Sequence, residues 1–594
     1  MYYKDKPSPK GRKQVLLMKT LLGSVVLYII YYLASSGALE RSSSSNWSKR
    51  QQEVKDVFLD SWHNYEKYGW GKDVYHPISE TGKNMGPKPL GWMIVDSLDT
   101  LILMDAKDEV ERARSWVVKD LDYGFDYEVN VFETTIRMLG GLLSAFHLTE
   151  DDVYLDKAVD LANALEGGFH SPTGLPYSSV NLYSGEGVKN HVDNGASSTA
   201  EVSTLQLEFK YLSKLTGETL YWKAAEKVME ILDANKPKDG LVPIYVHPDT
   251  GKYQGNLIRL GSRGDSYYEY LLKQYLQTNN QEQVYWDMYR ESVEGVKKHM
   301  VGKSKPNGLT FIGELDNGIG GGLSPKMDHL VCFYGGLLAL GATNGLTYEE
   351  AKRLPNWTPD KESDFKLAEE LTYTCYKMYK DVATGLSPEI VVFNQAANSK
   401  EDFHIKPLDR HNLQRPETVE SLFYLYRLTG DVKYREYGYE IFQSFLTHTK
   451  VVNDKGEVAY TSLDDVTKIP STKKDNVESF WFAETLKYLY LLFDDENKIP
   501  LDKYVFNTEA HPFPRFDTNE FLKTGWRRKI DETEEPTMQP PAVKIDKQNP
   551  PKAKPADKAP EAEALEEVKK NPELVKDTKA ESKKKLDKIL QNME

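Results

Sequence analysis

One join recurs along this chain of 594 residues and limits what it can fold into. Tyr211-Leu-Ser-Lys-Leu-Thr-Gly-Glu-Thr-Leu-Tyr221 matches Tyr424-Leu-Tyr-Arg-Leu-Thr-Gly-Asp-Val-Lys-Tyr434, and Ala145-Phe-His-Leu-Thr-Glu-Asp-Asp-Val-Tyr154 is a weaker third copy. Each reads as the end of one helix, a Thr-Gly or acidic turn, and a second helix beginning near a tyrosine. Joins of this kind fall near Asp105, Thr149, Thr216, Thr278, Thr343, Thr429 and Asp494. Their spacing of about 45 to 85 residues leaves room for one helical hairpin and one connecting loop per step. Seven hairpins can close into an α/α barrel or stack as an open solenoid, and periodicity allows both. The predicted fold class is therefore all-α dominated. Strand-like pieces such as Gly240-Leu-Val-Pro-Ile-Tyr-Val are expected as small β-hairpins in the connecting loops.

A second pattern lies on top of the first. In Asn412-Leu-Gln-Arg-Pro-Glu-Thr-Val-Glu-Ser421, Pro416 takes the first helical position, so Glu417 and Glu420 face the same way. The helix continues as Leu-Phe-Tyr-Leu-Tyr, an apolar setting for two carboxylates. Val-Phe-Glu133-Thr-Thr-Ile-Arg137, Gly-Asp265-Ser-Tyr-Tyr-Glu269-Tyr, Glu478-Ser-Phe-Trp-Phe-Ala-Glu484 and Val-Asp96-Ser-Leu-Asp99-Thr repeat the arrangement. Buried carboxylates are costly unless paired, protonated or bound to a cation, so several such motifs imply one acidic cavity.

The net charge of −14 is unevenly spread. The first 19 residues carry six Lys/Arg against one Asp, and the last 68 carry 16 Lys/Arg against 15 Asp/Glu, so the region between is strongly acidic. Nucleic acid is thereby excluded as a partner, because phosphate binding needs basic surface. Residues 20–39 carry no charge and as a helix would reach about 30 Å, the thickness of a hydrocarbon core. Basic residues precede them, so the expected layout is a cytosolic N-terminus (1–19), a membrane signal anchor (20–39), a lumenal stem (40–53), a lumenal domain (54–526) and a tail (527–594). A cleaved signal peptide is the alternative, with Ala34 to Ala38 supplying small residues. The tail is rich in Pro, Lys and Glu and is expected to be disordered or partly helical, with no core of its own. Asn46-Trp-Ser and Asn356-Trp-Thr are glycosylation acceptors, the second weakened by Pro359. Cys332 and Cys375 are the only cysteines. Buried free thiols are common, but an oxidising lumen favours a bridge between them.

An acidic cavity with aromatic walls suits a neutral polyhydroxylated ligand. Glycoside hydrolysis needs two carboxyl groups flanking the scissile bond, and surplus carboxylates suit a hard cation such as Ca²⁺. Zinc is unsupported, since no paired Cys or His-x-x-x-His spacing occurs. Asp120-Leu-Asp-Tyr-Gly begins like an EF-hand loop, but position twelve would be Val131 rather than Glu.

Five long motifs carry a resemblance: Asn-Val-Phe-Glu-Thr-Thr-Ile-Arg-Met-Leu-Gly-Gly, Gly-Ser-Arg-Gly-Asp-Ser, Met-Asp-His-Leu-Val-Cys-Phe, Arg-Pro-Glu-Thr-Val-Glu-Ser and Phe-Asn-Thr-Glu-Ala-His-Pro. From about Val54 to Trp526 the chain resembles the class I α-1,2-mannosidases of glycoside hydrolase family 47, of the fungal endoplasmic-reticulum type that trims high-mannose N-glycans. The resemblance implies an (α/α)7 barrel, inversion at the anomeric carbon and a Ca²⁺ ion. It implies Glu133 as general acid acting through a water, and Asp265 and Glu417 as the remaining catalytic pair, with the base open between them. Thr508 would bind the ion directly, with Asp96, Glu269, Glu420, Glu484 and Glu509 holding its waters. Arg137, Arg263, His329, Pro416 and Phe480 would meet the substrate. Bland readings stand beside these: Glu133 pairs with Arg137 along its helix, Phe480 belongs to the core, and His329 is a packed core histidine rather than a pocket wall. Related Golgi enzymes carry leucine where this chain has Arg263 and trim several mannoses, so the arginine implies removal of one. A glycan reader without hydrolysis is the runner-up and a membrane-bound helical scaffold the third. The presence of every acid of the catalytic motifs favours the enzyme.

Overall fold

The threonine at each join stops one helix and helps to start the next. Thr149, Thr216 and Thr429 donate their hydroxyls to the carbonyls of Ala145, Leu212 and Leu425, at 2.6, 2.9 and 2.6 Å. The same oxygens accept the amides of Asp151, Glu218 and Asp431. Those acids hold the first turn of the following helix by accepting from Val153, Leu220 and Lys433. Between them the chain turns through left-handed residues, Glu150, Gly217 and Gly430, a conformation that glycine adopts without strain.

The structure is a computed structural model and describes residues 46–235 and 237–528. The expected cytosolic N-terminus, the anchor at 20–39 and nearly all of the tail lie outside those residues. Among the described residues no helix is long and apolar enough to cross a membrane.

Six joins pair an inner with an outer helix: Trp92–Leu103 with Lys107–Lys119, Gly140–Thr149 with Asp152–Leu165, Gln206–Thr216 with Thr219–Ala234, Asp265–Gln277 with Gln283–His299, Phe333–Thr343 with Pro359–Lys380, and Glu417–Thr429 with Lys433–His448. Inner helices are buried nearly all round, as Phe333–Thr343 is along its whole length, whereas Gln283–His299 buries one stripe. The seventh inner helix runs through Trp481–Thr485 and Leu486–Leu492, and no helix follows it among the described residues. Its outer partner comes from the other end of the chain. Helix 46–69 lies against it, with Trp47 stacked on Phe493 at 5.5 Å and Phe58 edge-on to Phe482 at 5.4 Å. Each inner helix packs on the next, and Trp92–Leu103 packs on Trp481–Thr485, so the ring closes as an (α/α)7 barrel. The open solenoid is ruled out.

Closure moves two boundaries. Residues 46–53, expected as stem, already belong to the partner helix, and Trp47 is buried. Arg528, expected in the tail, is fastened to Asp233 at 2.8 Å and Glu291 at 2.6 Å. The strand expected near Gly240 shrinks to Tyr245–Val246, paired with Ser197–Ser198 and with Tyr253–Gln254. One hairpin, Tyr504–Phe506 with Pro512–Pro514, runs inside the ring. Its tip bonds to the Ile136 carbonyl and Glu208 through Asn507, and to Asp99 through His511, while Phe506 packs on Phe423. The Cys332–Cys375 disulfide, with Cα atoms 5.9 Å apart, ties the start of Phe333–Thr343 to helix Pro359–Lys380.

Candidate active site

Most of the expected acids sit in the first turns of inner helices, and these ends share one mouth of the barrel. Asp265 and Glu417 are the first residues of theirs, and Glu133 closes the short Val131–Glu133 turn that leads into another. Helix N-termini carry partial positive charge, so the ring of ends favours carboxylates there. The cavity they enclose measures about 280 Å³ and is lined by eight carboxylates against three guanidiniums, with no lysine on its surface.

Glu133 is placed by Asn130, whose side chain accepts the Glu133 amide at 2.8 Å. The chain then widens into a π-helical stretch, Thr134–Leu139, and a second one, Trp481–Thr485, carries Glu484. Such bulges re-aim side chains and recur at functional sites. Arg137, inside the first bulge, donates through Nε to Glu133 Oε2 at 2.8 Å and through Nη1 to Glu509 Oε1 at 2.6 Å. The ion pair expected as the bland reading of Glu133 is therefore present, yet both residues also line the cavity.

Across the pocket, Glu417 Oε2 accepts from His329 Nδ1 at 2.7 Å, and His329 Nε2 lies within hydrogen-bond distance of the Tyr379 and Thr418 hydroxyls at 2.9 and 3.0 Å. Burial pushes the Glu417 carboxyl up, but the His329 hydrogen bond and the charge of Arg415 outweigh it and hold it below its ordinary value. Asp265 is treated in the opposite way. Burial, together with repulsion from Glu269, Glu417 and Asp328, lifts it to about 7 against the amide of Ser266.

The floor is the tip of the inserted hairpin. Thr508 Oγ1 donates to Glu269 Oε2 at 2.7 Å. Glu420, Glu484 and Glu509 join it on the cavity surface. Burial and repulsion from neighbouring carboxylates push Glu420 up to about 8 against the pull of Lys273, and hold Glu484 and Glu509 well above the carboxylate range against that of Arg137. Among the described residues no group of three or more His, Cys, Asp or Glu is arranged to hold a metal directly. The available donors at the floor are oxygens, the Thr508 hydroxyl and carbonyl with carboxylates around them, which is the chemistry of a hard cation held partly through water.

Three expected site residues stand elsewhere. Asp96 is fully buried behind the wall, 3.5 Å from Arg137 Nη1, 3.1 Å from His511 Nε2 and bonded to Ser479; its charge is spent on the protein. His329 likewise lies behind Glu417 rather than on the cavity surface, where its bond orients that acid. Pro416 is the cap before Glu417 rather than the first helical residue, since its carbonyl accepts the Glu420 amide at 2.9 Å, and it does not reach the cavity. Phe480 does line the cavity, between the guanidiniums of Arg137 and Arg415 at 5.7 and 5.5 Å from its ring. Arg263 lines the mouth with φ 74°, clamped by Asp193 at 2.8 Å and by the Tyr245 hydroxyl.

Sequence reasoning missed Arg415, Glu201 and Lys273. Arg415 was within sight, one residue before Pro416, and it holds Glu389 at 2.7 Å while facing the pocket. Glu201 accepts from Asn130 at 3.2 Å and, among the described residues, forms no ion pair, and its motif carries no aromatic signal. Lys273 is one turn beyond Glu269 on the same helix and donates to it.

Residues 57–515 match the model of Glycosyl hydrolase family 47. The chain is 72% identical over 559 residues to a mannosyl-oligosaccharide 1,2-alpha-mannosidase of Candida albicans, covering 93% of this chain and 99% of that protein. It is 53% identical to the endoplasmic reticulum mannosyl-oligosaccharide 1,2-alpha-mannosidase of Saccharomyces cerevisiae, covering 84% and 97%. Among solved structures, the alpha-1,2-mannosidase from Trichoderma reesei superposes with a TM-score of 0.71 at 29% identity, covering 79% of this chain and 99% of that one.

Proposed function

The chain belongs to glycosyl hydrolase family 47, and from that premise we propose that it is a calcium-dependent, inverting α-1,2-mannosidase of the endoplasmic reticulum. Its substrate on this reading is the high-mannose N-glycan of maturing glycoproteins, from which it removes chiefly one middle-branch mannose. The observation that carries the reading is the meeting of Glu133, Asp265, Glu417 and Thr508, from three inner helices and the inserted hairpin, in one acidic cavity. The relatives' names support the substrate and the compartment. A type II anchor at 20–39 fits that compartment.

In the proposed reaction Glu417 takes a proton from the attacking water. Its carboxylate is kept ionised and fixed in orientation by His329. Glu133 delivers a proton to the leaving oxygen through a water, and Arg137 holds it for that task. Phe480 offers an apolar face to the sugar ring, and Arg263 offers donors to the next residues of the branch. Inversion requires acid and base to stand far enough apart, about 6.5–9.5 Å, to admit the water between them. Thr508 would hold the calcium ion directly, with Glu269, Glu420, Glu484 and Glu509 around its waters. When bound, the ion would neutralise crowded carboxylates and template the sugar hydroxyls.

One observation favours Asp265 as the base instead: a carboxyl lifted to about 7 is matched to proton transfer at neutral pH. The pH profile of kcat/KM in Asp265→Asn and Glu417→Gln separates the two. The base is the residue whose removal abolishes the acidic limb of the remaining activity.

A further inference from the structure

Lys273 has no part in the reaction proposed above, and a lysine is an unexpected residue inside a barrel core. It lies on helix Asp265–Gln277, one turn beyond Glu269 and two beyond Asp265, and is 1% exposed. Burying an ammonium is costly unless anions surround it. Here it donates to Glu269, stands 3.8 Å from Glu420 Oε1, and reaches the carbonyl of Asn507, beside Thr508, at 3.5 Å. Two of the four glutamates around Thr508 thus share one fixed positive charge. A third, Glu509, is held by Arg137 at 2.6 Å.

We infer that Lys273 is a permanent countercharge that sets the pocket floor to accept a divalent rather than a trivalent cation; the inference rests on the calcium reading above. Arg137 is shared among Glu133, Asp96 and Glu509, whereas Lys273 commits its charge to Glu269 and Glu420. Its loss leaves the floor one charge more negative, which favours an ion of charge three over an ion of charge two. Because the groups are buried, solvent screens the change little, and its effect grows with the charge of the ion bound. A merely structural pin between helix and hairpin would behave differently: losing it would weaken all ions alike.

The test is calorimetric titration of the metal-stripped full-length protein with calcium chloride and with terbium chloride, for wild type and variants. Lys273→Met should shift the ratio of terbium to calcium affinity toward terbium by about tenfold or more. Lys273→Arg, which keeps the charge, should leave the ratio within about threefold. Lys273→Met combined with Glu420→Gln restores the balance and should return the ratio to the wild-type value. Should Lys273→Met fail to fold, Glu420→Gln alone must move the ratio about tenfold toward calcium. Calcium binding in the variants with an unmoved ratio overturns the inference and leaves the calcium reading standing. Wild-type protein that binds neither ion overturns both.

Discussion

Replacing His329 with leucine removes the donor that faces Glu417 while keeping an apolar side chain in the space. The contact is a 2.7 Å hydrogen bond to a carboxylate, with His329 only 2% exposed, so water does not readily replace it. Hydrogen bonds to charged groups contribute about 1.5–3 kcal/mol, and one pKa unit corresponds to about 1.36 kcal/mol. The Glu417 carboxyl should therefore rise by about one to two units. If Glu417 is the base, the acidic limb of kcat/KM moves up by the same amount, and the rate below that limb falls about 10- to 100-fold. The assay is mannose release from a high-mannose glycan across pH, with circular dichroism to confirm the fold. Stability carries a second signature. The folded-state value lies below the ordinary 4.5, so the contact stabilises above that pH and its contribution is lost as pH falls through the folded value. The melting temperatures of variant and wild type should converge in acid. An intact variant whose acidic limb stays in place would refute the chain from His329 through Glu417 to the water.

Glu133→Gln should lower turnover at least about 10²-fold with the fold unchanged, as removal of a general acid does, and near-normal turnover would take Glu133 out of the mechanism. Arg263→Leu unclamps the mouth at Asp193 and Tyr245 and should release more than one mannose at comparable turnover. A single product, read by mass spectrometry, would move branch choice to other loops. Replacing Cys332 and Cys375 together with alanine should cost roughly 3–4 kcal/mol for a loop of this length, measured by denaturant titration. An unshifted midpoint would contradict the chain-entropy argument.

The barrel was legible in the sequence where local chemistry repeats. The Leu-Thr-Gly-Asp/Glu joins state a helix stop, a reversal and a helix start in adjacent residues, so Thr216 and Thr429 could be read directly. The seventh pair was not legible, because its two helices lie at opposite ends of the described chain and no local turn connects them. The acids on the first turns of inner helices were found because a carboxylate among aromatic residues is conspicuous. What the pattern lacked was depth. Asp96 and Glu509 look alike as sequence, yet His511 and Ser479 wall Asp96 off while Glu509 reaches the cavity. His329 was readable only as either a pocket wall or a packed core histidine, since its bond to Glu417 joins residues 88 positions apart. Lys273 was passed over because a lysine on a helix usually faces water, and only the fold shows it turned inward.

The most direct test of the account is to follow a high-mannose glycan with the purified chain by mass spectrometry and proton nuclear magnetic resonance, before and after metal chelation. The account predicts loss chiefly of one mannose, released first as the β-anomer, abolished by chelation and restored by added Ca²⁺. Release first as the α-anomer would contradict the inverting pair of Glu133 and Glu417. Full activity after exhaustive chelation would contradict the role given to Thr508, and glycan binding without release would show that the cavity reads the sugar and does not cut it.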